Sequence, residues 1–149
     1  MSIVLIALKE LMLRDLKKLE NEIASYPEEE LLWKKEGQIS NSAGNLCLHL
    51  CGNLQHYIGR QLGGTDYVRD RPREFNIKHV SRAELLSEIQ KTYQVVHESL
   101  SSLSIDQLDA TYPEEVLGKP MSTIYFLIHL SGHLNYHLGQ INYHRRLIS

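Results

Sequence analysis

Four stretches of the chain carry apolar residues at every third or fourth position, which is the spacing of one face of an α-helix. They cover about residues 3–24, 42–62, 81–103 and 121–149. Tyr26-Pro27 ends the first stretch, and Gly63-Gly64 ends the second. No segment shows the sustained apolar–polar alternation of a strand. The pattern predicts an all-α protein, and four amphipathic helices in a chain of this length are typical of a four-helix bundle.

The segments between these stretches lack periodicity. Residues 63–79, GGTDYVRDRPREFNIKH, are predicted to be a long crossover loop between helices 2 and 3, so a simple up-and-down order is not fixed. Loops of this length are uncommon and often functional, although a plain surface connection remains an alternative. Residues 81–84, SRAE, predict a capping box at the start of the third helix. Residues 104–108 are predicted to be a turn.

Composition and charge argue against nucleic-acid-binding, membrane-spanning and secreted proteins. The chain has 149 residues and a net charge of -2, which predicts a single domain over residues 1–149 and argues against nucleic-acid binding. No run of about 18 apolar residues occurs, and the apolar start MSIVLIALKEL lacks the basic region of a signal peptide. We therefore expect a cytoplasmic protein with no membrane partner. Cys47 and Cys51 are expected to be reduced thiols that pack as small apolar residues.

The fourth helix carries an unusual row of histidines. They stand at positions 129, 133, 137 and 144, and all lie within about 40° of His133 on a helical projection. The same side carries Phe126, Leu130, Leu134, Ile141 and Leu147, whereas the opposite side carries Ser131, Asn135, Asn142 and Arg146. The histidines are therefore predicted to face inward. Buried imidazoles need partners, either neighbouring hydrogen-bonding groups or a metal ion, and a pair at i and i+4 can share one ion.

The second helix offers a further histidine, His49, but its setting is ambiguous. It shares a polar stripe with Asn45, Asn53, His56 and Arg60. Taken alone, this stripe favours a solvated face. Because the stripe has one full charge and is otherwise amide and imidazole, it would also suit a polar channel inside a bundle. The two cysteines lie on the other side, which argues against a mixed Cys/His site.

The sequences HLCGN at residues 49–53 and HLNYHLGQ at residues 133–140 resemble the DinB-like superfamily, which includes the YfiT-like metalloenzymes. The resemblance extends over the whole chain through helix count and order. It implies a four-helix bundle, often a homodimer, that binds a divalent metal ion, commonly zinc or nickel. His49, His133 and His137 match the metal-ligand positions, whereas His129, His56 and His144 have no counterpart. Leu138 stands where the family often has a basic or polar residue. The substrate specificity of other members therefore cannot be assigned to this chain.

Some members of that superfamily are bacillithiol or mycothiol S-transferases, and one is a maleylpyruvate isomerase. The resemblance therefore implies a small-molecule substrate, such as a low-molecular-weight thiol. Three imidazole ligands leave a coordination position open, as in catalytic zinc sites. Thiol S-transfer and hydrolysis are both compatible with such a site. The alternatives are a non-catalytic metal-binding or stress-related dimeric bundle, and a structural bundle with hydrogen-bonded histidines.

Two further groups of residues are candidates for the site. Asn45, Asn53, Tyr136 and Gln140 can orient metal ligands or substrate, or can simply form hydrogen bonds between helices. In the 63–79 segment, Tyr67, Arg69 and Arg71 are candidates for binding an anionic substrate. No Asp or Glu lies in the turns around His49 and His133, so these helices supply no general base.

Overall fold

The computed structural model describes residues 2–149 and is helical, with no strand in that range. Helix α1 spans Ile3–Ser25 and is followed by a 3-10 turn, Glu29–Trp33. Helix α2 is continuous but contains three segments, Ala43–Leu54, Gln55–Arg60 in π geometry and Gln61–Gly63. The remaining helices are α3 (Arg71–Asn76), α4 (Arg82–Ser101), α5 (Ile105–Asp109) and α6 (Thr123–Ile148). The all-helical prediction is confirmed, and α1, α2, α4 and α6 are the four long helices.

Two segments predicted to lack helix are short helices instead. The 63–79 connection contains α3, whose first turn is capped by Asp70 accepting from the backbone N–H of Arg73 at 3.1 Å. Residues 104–108 form most of α5, where Ser104 and Gln107 make a reciprocal capping box. Both helices are only five or six residues long, so neither is long enough to repeat an apolar face. In the sequence these short helices are indicated by their capping residues and not by apolar periodicity.

The core is built around α2, which contacts α3, α4 and α6, while α1 packs on α4 and α6. Every residue of the Ala43–Leu54 segment is buried, so Asn45, His49 and Asn53 of the polar stripe do not face water. The solvated interpretation is wrong for these three residues, which α3 and α6 cover, whereas Arg60 at the end of the stripe is exposed. Cys47 and Cys51 are buried free thiols, as predicted. Within residues 2–149, none of the helices combines the length and apolar character needed to cross a bilayer.

The two sides of α6 differ from the predicted inward and outward faces. Leu147, assigned to the inward side, is 78% exposed, and His129 is also exposed. Of the amides assigned to water, Asn135 is exposed as predicted and also donates to Asp15 of α1 at 3.1 Å. Asn142 is half-buried and donates to Glu22 of α1 at 2.6 Å. Because α6 packs against both α1 and α2, a single inward stripe could not describe it.

Candidate metal centre

Three histidines from two helices converge between α2 and α6. One nitrogen from each of His49, His133 and His137 lies within 4.8 Å of the other two. His49 Nε2 and His133 Nε2 are 3.2 Å apart. Two nitrogens on one tetrahedral zinc ion, each bound at about 2.0–2.1 Å, are separated by about 3.4 Å. The three side chains are therefore placed to share one ion.

The helices position these rings through ordinary packing. His133 and His137 stand one turn apart on α6, and the leucines that follow each of them, Leu134 and Leu138, are buried against the core. His49 is only 6% exposed because α3 lies over it. The ring planes of the three histidines are nearly perpendicular to one another, at 77–89°. This arrangement lets each imidazole present a ring nitrogen toward a common point.

Glu74 on α3 fixes the orientation of His49. Its carboxylate Oε1 lies 3.1 Å from His49 Nδ1. Arg69 donates to the same carboxylate through Nε at 2.9 Å and Nη2 at 3.0 Å. Because a carboxylate accepts, the His49 proton is on Nδ1, and Nε2 keeps its lone pair toward the cluster. Carboxylate–histidine pairs of this kind orient the ligands of metal sites.

Asn45 and Gly52 bring Glu74 into place. The Asn45 side chain donates to the backbone carbonyls of Glu74 at 2.9 Å and Ile77 at 2.8 Å, which holds α3 against α2. A Cβ at Gly52 would collide with the Glu74 carboxylate. Glycine at that position therefore makes the close approach possible. Asn45, a predicted orienting residue, acts on α3 rather than on a histidine ring.

Gln140 fixes the orientation of His137 by the same logic. Its amide oxygen Oε1 lies 2.7 Å from His137 Nδ1 and accepts the imidazole proton, which leaves Nε2 free. Gln140 is one of the residues predicted to orient metal ligands or substrate. Tyr136 is another; it is 63% exposed, and its ring centroid lies 5.2 Å from that of His137.

The lone pairs of the three histidine rings are satisfied better by a shared cation than by hydrogen bonds alone. His49 and His137 both present Nε2 lone pairs toward the cluster, and His133 has one ring proton to share between them. In the part of the chain that the structure describes, His133 Nδ1 and Asn53 Oδ1 are buried without a hydrogen-bond partner. A divalent ion accepts three neutral imidazole lone pairs at once. The residues present therefore fit a metal ion.

The protonation states of the cluster also suit a metal. Burial, helped by the neighbouring His137 and His49, lowers the pKa of His133 to about 4. Burial also lowers the pKa of His137, although the Gln140 hydrogen bond opposes it. Burial acts to raise the pKa of Glu74, but the hydrogen bonds from His49 and Arg69 outweigh it, and the pKa is lowered. Neutral imidazoles and an ionised carboxylate are what metal binding requires.

The metal-free protein is expected to lose stability as the pH falls from 6.5 toward about 4. The folded pKa of His133 is depressed, so in this window the unfolded chain binds more protons than the folded chain. Thermal melts in chelator should show a smaller fall in Tm for His133→Gln than for wild type. His97→Gln, at an exposed histidine of α4, should keep the wild-type pH dependence. Equal pH dependence in all three proteins would contradict the assignment to His133.

The predicted substrate-binding residues occupy different places. Arg71 lines a cavity of about 150 Å³ together with His49, His133 and Asn53, and its guanidinium lies 5.2 Å from the Phe75 ring centroid. Arg69 borders the same cavity, but its guanidinium binds Glu74, so it is not free for a substrate in the way predicted. The Tyr67 backbone carbonyl accepts from Arg60 at 2.8 Å.

The other three histidines of α2 and α6 have contacts of their own. His56 Nε2 lies 2.6 Å from a carboxylate oxygen of Glu114. His144 links Tyr26 and Lys34, with Nδ1 2.7 Å from the tyrosine hydroxyl and Nε2 2.8 Å from the lysine carbonyl. His129 is exposed, and its ring stacks on Phe126. None of these three belongs to the cluster formed by the described residues.

Sequence reasoning missed Glu74. The residue lies on a six-residue helix inside a segment predicted to be loop, so no helical projection could place it near His49. The available signal was an acidic residue in the arginine-rich run RDRPREF, where a carboxylate has guanidinium partners within reach.

The chain matches a model of a protein family. A family model described as "Protein of unknown function (DUF1572)" matches residues 4–149. The matched range includes α2 and α6, which carry the three histidines, and α3, which carries Glu74. No curated protein matches the chain.

Proposed function

The chain belongs to the DUF1572 family of proteins of unknown function, and from that premise we propose that it is a divalent-metal-dependent enzyme. The observation that carries the proposal is the convergence of three imidazole nitrogens within 4.8 Å, with two of the three rings fixed by hydrogen-bond acceptors. Structural histidines seldom need their lone pairs aimed at one point, whereas metal ligands do.

We also propose that the chain is a DinB-like four-helix bundle. The order of the four long helices supports this, as does the distribution of the histidines, one on the second long helix and a His-x3-His pair on the fourth. The 64–80 segment would then be the crossover connection, with α3 folded inside it. The single-domain organisation predicted over residues 1–149 forms part of the same proposal.

The proposed reaction is thiol S-transfer or hydrolysis of a small-molecule substrate. Three protein ligands leave a position open on the ion, and the bound ion supplies a Lewis acid that can acidify water or a thiol. Imidazole ligands suit zinc and nickel, which are the metals we propose. Glu74 and Gln140 hold His49 and His137 in their metal-binding tautomers. Asn53 and Arg71 border the small cavity next to the cluster, where they can orient an anionic group of the substrate.

The test combines metal content with turnover. Protein purified without a histidine tag should contain about one zinc or nickel ion per chain by elemental analysis. The loaded protein should turn over members of a panel of thiol–electrophile pairs and esters, and a chelator should remove that activity until the ion is restored. Protein that binds no ion, or equal turnover with and without the ion, would refute the proposal.

A second candidate, a non-catalytic metal-binding dimer, is favoured by one surface feature. Helix α6 exposes an uncharged stripe within an arc of about 100°. Its members are Tyr125, Ile128, Gly132, Tyr136, Gly139, Tyr143 and Leu147, and the apolar side chains among them are 50–78% exposed. A bound ion without turnover, in a protein that sediments as a dimer, would favour this candidate. The homodimer and the cytoplasmic location stay predictions.

A further inference from the structure

A second cavity adjoins the cluster at His137 and does not include Arg69 or Arg71 in its lining. It has a volume of about 530 Å³ and lies between residues 36–43, the start of α2 and the C-terminal half of α6. Leu46, Leu147, Tyr136 and Tyr143 line it, together with His137 and Gln140. A volume of this size is typical of small-molecule sites.

The lining of this cavity carries almost no charge. Glu36 is the one acidic residue in it, and its carboxylate is 2.6 Å from the ammonium group of Lys34. The imidazole of His144, also in the lining, is already bonded to Tyr26 and to the Lys34 carbonyl. The remaining polar groups are amides and hydroxyls. A charged ligand would find no free partner here, whereas an apolar one would replace water against aliphatic and aromatic surface.

His137 connects the cavity to the cluster. It belongs both to the three-histidine group and to the cavity wall, and Gln140, which fixes its ring, lies in the same wall. His49 and His133 instead border the 150 Å³ cavity with the two arginines. The cluster therefore stands between a small basic cavity and a large uncharged one.

We propose that the large cavity binds the apolar, uncharged body of the substrate and presents its reactive group to the ion from the His137 side. The inference rests on the proposed function, because it assumes an ion held by the three histidines. It identifies the substrate class as a neutral molecule with an aliphatic or aromatic body. A thiol or anionic partner is then left to the small cavity beside Arg71.

Alkyl hydroxamic acids test this directly, because the hydroxamate chelates the ion and the alkyl chain reports on its surroundings. Burying one methylene contributes about 0.8 kcal/mol, or roughly a fourfold gain in affinity. Hexanohydroxamic acid, with four methylenes more than acetohydroxamic acid, should therefore bind zinc-loaded protein about 50- to 250-fold more tightly by isothermal titration calorimetry.

Variants test whether the alkyl chain binds in this cavity or elsewhere on the protein. Ser40 lies in the lining and is exposed, so Ser40→Trp fills the cavity without disturbing the core. It should weaken hexanohydroxamic acid at least tenfold and leave acetohydroxamic acid unchanged. Ser101→Trp, at an exposed serine of α4, and Arg71→Ala, in the small cavity, should both keep the gain with chain length.

The outcomes distinguish the proposed metal site from the proposed substrate cavity. Protein that takes up neither zinc nor nickel refutes the proposed function itself. Zinc-loaded protein that binds both hydroxamates with equal affinity refutes the apolar cavity as a substrate site and leaves the metal site intact. An undiminished affinity of Ser40→Trp for hexanohydroxamic acid would place the alkyl chain elsewhere and would also overturn this inference.

Discussion

His133→Ala is expected to weaken zinc binding by roughly 70- to 900-fold. Structural zinc sites have four ligands and bind with about 10–16 kcal/mol, so each ligand contributes about 2.5–4 kcal/mol. His133 Nε2 lies 3.2 Å from His49 Nε2, and without His133 each of the two helices supplies only one imidazole to the cluster. Competition against a chromophoric zinc chelator measures the loss.

His129→Ala is the matched control for this variant. It removes an imidazole from the same helix one turn earlier, at an exposed position outside the cluster. Zinc affinity should be unchanged in it, and far-ultraviolet circular dichroism should be the same for both variants. Wild-type zinc affinity in His133→Ala would show that the ion, if bound, is held elsewhere.

Glu74→Gln is expected to have two separable effects. Zinc affinity should fall by about 10- to 100-fold, because the charge that holds His49 in its binding tautomer is lost. The metal-free protein should also lose about 3–5 kcal/mol of unfolding free energy, since Arg69 keeps a largely buried charge without its carboxylate. Zinc titration and chemical denaturation in chelator measure the two effects independently.

Two further variants test whether Glu74 acts on the metal site or only on stability. Glu74→Gln combined with Arg69→Met removes the unpaired charge, so it should recover stability while zinc affinity stays low. Glu114→Gln breaks the other histidine–carboxylate pair, at His56, and should leave zinc affinity unchanged. If zinc affinity in the double variant returned to the wild-type value, the orienting role of Glu74 would be wrong.

The long helices could be predicted because their apolar spacing is sustained over many turns. The first was predicted over residues 3–24 and spans Ile3–Ser25, and the fourth was predicted to start near 121–123 and begins at Thr123. The same periodicity placed His133 and His137 together, since residues four apart share a helix face. The resemblance supplied His49, and the structure brings that residue to the same cluster.

The parts that could not be predicted depend on what covers each helix. A helical projection gives angles within one helix but does not identify its neighbours. The polar stripe of α2 therefore looked solvated, although Asn45 binds the backbone of α3 and His49 binds Glu74. Likewise, Asn142 of α6 looked solvated, although it is half-buried and donates to Glu22 on α1. Such polar contacts between helices follow from tertiary packing and leave no period in the sequence.

The attachment of α3 bears on how quickly an ion could be exchanged. Of its six residues only Glu74 is buried, and the helix is held mainly by Asn45 and by the Arg69 ion pair. A segment with so little apolar contact detaches at a lower cost than global unfolding. Its release would uncover His49 while α1, α4 and α6 stay folded. The lifetime of a bound ion would then be set by fluctuations of this short helix, independently of the thermodynamic affinity of the three imidazoles.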